Sequence, residues 1–140
     1  MKRIKLFEEF IDTEDEVTLE QFCKDNLAYL IDAGYSFTLD YVDDEDDVTE
    51  ISIFKKSNVS NNVLPFNLSE IIYDFIPFLL LLNKEWDLLP YASDEVVYIG
   101  HEDDDYYNYQ SIDGLIDQHD NNIDIEEIRF IEIMVKGMRE

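Results

Sequence analysis

The chain has 140 residues, with 34 Asp and Glu against 10 Lys and Arg, and a formal net charge of −24. That balance excludes a protein that grips nucleic acid or an acidic membrane by charge, and it favours cationic partners. With 46% hydrophobic and 14% aromatic residues, it also excludes wholesale disorder, since such side chains offset chain entropy when buried.

In chain order, the first strong element is a helix over 18–33. Thr18 and Gln21 form a capping box, Val17 and Phe22 its staple, and Leu19, Phe22, Cys23, Leu27, Leu30 and Ile31 one apolar stripe. Gly34 supplies the left-handed residue that ends it. Tyr35, Phe37, Leu39 and Tyr41 then alternate with polar residues as a half-buried strand, and 48–55 supplies its hairpin partner. The link between them is acidic: Asp43, Asp44, Glu45, Asp46 and Asp47.

A second helix is expected from Asn67, where Asn67 with Glu70 and Phe66 with Ile71 repeat the cap and staple. It is apolar almost all round over 75–82, so it is central to the domain or covered by another chain. Pro77 should kink it or start a new helix. Residues 84–94, with Trp86, Pro90 and Tyr91, read as irregular, and 95–99 as a short strand. A second acidic run, Glu102, Asp103, Asp104 and Asp105, leads into Tyr106, Tyr107, Asn108 and Tyr109. Ser111 caps a short helix through Ile116. Residues 127–135 read as a strand apolar on both faces, hence inside a sheet.

This order implies an α+β fold over a single domain, 1–140: an antiparallel sheet with two main helices packed on one face. If 5–10 is a strand, the leading βαββα order is the ferredoxin-like pattern. The longest apolar run, interrupted by Pro77, is shorter than a membrane span. No signal peptide is read, because Glu8 and Glu9 interrupt the start. Hence a soluble protein of the cytoplasm, or of a virion, is expected.

Chemistry-bearing motifs are sparse. Residues 117–127 resemble a calcium loop only superficially: placing Glu127 twelfth puts Ile116 first, and the central glycine is missing. Two histidines and one cysteine make no zinc site, and four glycines make no phosphate loop. Cys23 reads as a buried thiol. Neither metal nor cofactor is expected, and no catalytic constellation marks an enzyme. The tyrosines interleaved with acids, joined by Tyr91 and Trp86, suggest a docking patch, since aromatics anchor interfaces and carboxylates pair with Arg and Lys.

The opening Met1-Lys2-Arg3-Ile4-Lys5-Leu6-Phe7-Glu8-Glu9-Phe10-Ile11 resembles the lead-in of many small uncharacterised proteins encoded by tailed bacteriophages. The resemblance implies an accessory or virion protein. The expectation is therefore a non-enzymatic acidic module that inhibits a basic, nucleic-acid-handling protein, as phage counter-defence and immunity proteins do. Its contact residues would be Asp43, Asp44, Glu45, Asp46, Asp47, Glu102, Asp103, Asp104, Asp105, Tyr106 and Tyr107. The alternative is a small structural subunit of a virion or other complex, self-associating through the apolar helix 67–82.

Overall fold

The computed structural model describes residues 18–43, 48–57, 59, 62–101 and 107–136. The hydroxyl of Thr18 accepts the Gln21 N–H at 3.1 Å and caps α1 (Leu19–Asn26). The single helix expected over 18–33 is broken. The Asn26 side-chain amide donates to the Phe22 carbonyl at 2.9 Å, competing with the helical ladder. Leu27 then leaves helical geometry (φ −111°, ψ 14°) before α2 (Ala28–Asp32). Gly34 at φ 100° makes the left-handed step that glycine tolerates and leads into β1 (Tyr35–Asp43).

β1 pairs antiparallel with β2 (Val48–Lys56), Tyr35 opposite Lys55 and Tyr41 opposite Thr49, in the hairpin that the alternation implies. β3 (Val63–Leu64) adds a short pairing to the far end of β2. The cap expected at Asn67 and Glu70 forms, but around a 3-10 turn (Leu68–Glu70). Asp124 fastens that turn from the other end of the chain, accepting from the Ser69 N–H and hydroxyl at 2.8 Å each.

α3 (Ile72–Glu85) follows and continues through Pro77, with no new helix begun there. Both Pro77 and Tyr73 are exposed. A proline on an exposed helix face costs less than one on a buried face, because the carbonyl it leaves without a helical donor can be hydrated. The stretch read as irregular contains a strand, β4 (Asp87–Leu89), because β7 offers it an open ladder beyond β5. β5 (Val97–His101), β6 (Tyr107–Gln110) and α4 (Ile112–Asp120) come next. Ser111 caps α4, accepting from the Gly114 N–H at 2.9 Å.

The last strand, β7 (Ile128–Lys136), lies in the middle. Among the described residues the sheet has seven strands, in the order β1-β2-β7-β5-β6 with β3 and β4 as short additions, and its pairings are antiparallel. Ile51, Ile53, Val97, Ile99, Ile131, Ile133 and Val135 point to one side and pack with Phe22, Phe75, Phe78, Leu79 and Leu82 of the helices. The architecture is thus α+β, with its helices gathered on one face of the sheet. A ferredoxin-like order needs a strand at 5–10, which lies outside the described residues.

Core and surface should respond very differently to truncation. Ile133 is 0% exposed and Leu80 on α3 is 52% exposed. Ile133→Ala should lower urea-unfolding stability by about 3 kcal/mol, whereas Leu80→Ala should change it by less than about 0.5 kcal/mol.

Candidate functional site

Side chains alternate along a strand, so whatever is not aimed at the helices points the other way. One cross-strand row on the side turned away from the described helices joins Thr38, Ser52, Glu132, Tyr98 and Tyr109, paired neighbours on five adjacent strands of the sheet. All five are half-buried or exposed. The next row brings Asp40 beside Glu50, and Glu50 beside Met134. Phe130 stands opposite Gly100 in a third.

Tyr91 enters this face from a tight turn. Its N–H donates to the Glu95 carbonyl at 2.9 Å and the Glu95 N–H to the Ala92 carbonyl at 2.8 Å, with Ser93 at φ 54°. The Tyr91 hydroxyl donates to Glu50 Oε2 at 2.7 Å. Its ring lies 5.8 Å from that of Tyr109 at an interplanar angle of 23°, and 5.7 Å from that of Tyr98. Tyr98 in turn stands 5.4 Å from Tyr109 and 5.9 Å from Phe130. A continuous aromatic wall results. Gly100 permits its far end: a Cβ there would sit 2.2 Å from Phe130 Cζ.

The wall borders a set of like charges. Burial, the charge of Glu50, a hydrogen bond shared with Glu50 and the charge of Asp40 push the Glu132 carboxyl above the usual carboxylate range. The Ser52 hydroxyl, donating to Glu132 Oε2 at 3.3 Å, opposes this. Burial and the bond to Glu50 likewise push the Tyr91 phenol far up. Among the described residues, the charges that act on Glu132 are those of Glu50 and Asp40, both anions.

Glu70, on the helix side, shows the opposite pattern. Burial works against its ionisation. Hydrogen bonds from Tyr35 (2.8 Å), the Asn67 N–H and Lys55 (3.2 Å) nevertheless hold its carboxyl below the usual range. That carboxylate is structural. Burial, then the charge of Glu20, pushes the Cys23 thiol up to about 12, which leaves it unreactive as a thiolate. Among the described residues, no group of three or more His, Cys, Asp or Glu could hold a metal ion. No described helix is long and apolar enough to cross a membrane.

Most of the residues expected to make contact are not among the described residues. Asp44, Glu45, Asp46, Asp47, Glu102, Asp103, Asp104, Asp105 and Tyr106 lie outside the described residues, as does the opening at 1–11. The backbone of Asp43 ends β1, opposite Val48, and that of Tyr107 opens β6, opposite Gly100. The expected aromatic group is partly redrawn: Tyr91 and Tyr109 do meet, but Trp86 packs on the helix side, 4.7 Å from Phe22. Asp40, Glu50, Glu132, Tyr98 and Phe130 were not legible as a group. Their signal is that they occupy the off-phase positions of strands whose in-phase positions are apolar. Comparison with family models, curated proteins and solved structures gives no match.

Two outcomes follow from this geometry. The native state holds the Glu132 proton more tightly than the unfolded chain does. The associated stability is therefore present below the ordinary carboxylate range and lost as pH rises through the raised native value. Glu132→Gln should be more stable relative to the parent chain at pH 7 than at pH 4, as read by urea midpoints at both. Gly100→Ala should displace the Phe130 ring, change the near-UV circular dichroism and lower stability by about 1–3 kcal/mol.

Proposed function

We propose that this chain is a non-enzymatic binding module that engages a basic protein surface through the acidic and aromatic face of its sheet. The observation that carries the reading is the half-buried Glu132, held beside Glu50 and Asp40 under Tyr91, with burial and anions as the forces that raise its pKa. Like charges kept together at a partly desolvated site are unfavourable alone and become favourable when a cation arrives. Large, rigid tyrosines next to them add contact area at low conformational entropy.

The acidic runs at 43–47 and 102–105 belong to the same reading as long-range attractors, with Tyr106 and Tyr107 as further contacts. The partner is a nucleic-acid-handling protein of the cytoplasm, whose phosphate groove the carboxylates fill, as phage counter-defence and immunity proteins do. The likeness of residues 1–11 to phage lead-ins supports that class. A second reading, a structural subunit of a virion or other complex, is favoured by the exposure of Tyr73 (77%), Leu80 (52%) and Leu81 (37%) along α3.

The test uses a mixed Lys/Arg octapeptide as probe, with Asp40→Asn, Glu50→Gln and Glu132→Gln combined. The triple variant should keep its far-UV spectrum and bind the peptide at least about tenfold more weakly at 50 mM salt. Binding by the parent chain should largely vanish near 0.5 M salt, where the Debye length is about 4 Å. Unchanged binding by the variant would overturn the proposal. Self-association that strengthens with salt in sedimentation would favour the structural subunit.

A further inference from the structure

We propose that the sheet face turned away from the described helices seats one arginine side chain of its partner, the guanidinium lying against the Tyr91 ring and bridging the Glu50 and Glu132 carboxylates. This rests on the binding reading above and specifies the cation. Three features favour a guanidinium over an ammonium.

The first is a cluster of aromatic rings. The Tyr91 and Tyr109 rings are within 23° of parallel, 5.8 Å apart, and Tyr98 closes the side at 5.7 Å from Tyr91. A planar cation gains stacking as well as cation–π attraction on such a wall, whereas an ammonium gains only the latter.

The second is the arrangement of acceptors. Glu50 on β2 stands diagonally from Glu132 on β7, and the two carboxyls are close enough to hydrogen-bond to each other. One oxygen of each is held by a neighbour: Glu50 Oε2 accepts from Tyr91 at 2.7 Å and Glu132 Oε2 from Ser52 at 3.3 Å. The carboxylates are thereby oriented before a ligand arrives. A guanidinium carries its donors in a rigid fork that serves two such acceptors in one plane, and an ammonium must choose or tilt between them.

The third is charge complementarity. Asp40, Glu50 and Glu132 converge from β1, β2 and β7, and among the described residues the charges that act on Glu132 are those of Glu50 and Asp40, both anions. A single guanidinium between the two glutamates neutralises the repulsion between them. Tyr91, held by its turn at 91–95, then covers the cation from above.

The experiment titrates the full chain with two octapeptides, all-arginine and all-lysine, at 50 mM salt, with calorimetry as the readout. The arginine peptide should bind about tenfold more tightly than the lysine peptide of equal charge. Glu132→Gln and Tyr91→Leu should each reduce that preference to within about twofold, and far-UV spectra verify that both variants are folded. Equal binding of the two peptides, weakened in both cases by Glu132→Gln, would overturn the arginine assignment and leave the cationic reading standing. An arginine preference that survives both substitutions would move recognition off this face and overturn the assignment as well. Lysine and arginine binding both indifferent to Glu132→Gln and to the triple neutralisation would overturn both readings together.

Discussion

The fold depends on one placement: the last strand in the sequence, β7, lies in the centre of the sheet. It pairs with β2 on one side and with β5 and β4 on the other. No closed sheet exists until residues 128–136 reach residues 48–53 across most of the chain's length. Such non-local closure is slow and cooperative. The same strand builds both faces. Ile131, Ile133 and Val135 are 0% exposed on the helix side, and Phe130, Glu132 and Met134 alternate with them on the other. Glu132 sits between two isoleucines that cannot move, so its position is fixed by the core. An acid placed in this way cannot turn away from its neighbours as one on a loop can.

A net charge of −24 invites the explanation that carboxylates merely keep the protein dissolved. The environments of individual acids argue against treating them alike. Glu70 and Asp124 are surrounded by donors: Tyr35, Lys55 and Asn67 for the first, both polar groups of Ser69 for the second. These are fasteners inside the fold. The acidic and aromatic face is different. There burial and neighbouring anions raise Glu132, beside a cluster of tyrosines on the same face. Solubility requires no acid to be half-buried beside another acid. The cation site proposed above does.

Much of the fold was legible because the signals are local. Thr18 and Ser111 cap helices as their neighbours suggest, Asn67 with Glu70 caps the turn that leads into α3, and the hairpin of β1 with β2 follows from period-two alternation. What misled was also local. Pro77 looked like the start of a new helix, but α3 continues through it, with Pro77 on an exposed face. Asn26 looked like one more helical residue, but its amide takes the Phe22 carbonyl. The acidic and aromatic face was illegible for a different reason. Its members come from β1, β2, the turn at 91–95, β5, β6 and β7, and they become neighbours only through a strand order in which β7 intervenes between β2 and β5. Contiguous acidic runs draw attention in a sequence; acids dispersed one per strand do not.

β1 and β6 flank the described sheet, and each leaves a rim of backbone donors and acceptors turned outward. The β1 rim also carries Tyr41 and Val42, 60% and 53% exposed, residues well suited to extended pairing with a second molecule. Both rims adjoin acidic runs in the chain, Asp43 closing β1 with 44–47 immediately after it, and 102–105 just before β6. Two molecules approaching rim to rim each carry a net charge of −24, so sheet extension by templated addition is electrostatically opposed at neutral pH. Concentrated negative charge therefore guards this protein against cross-β polymerisation, whatever it binds.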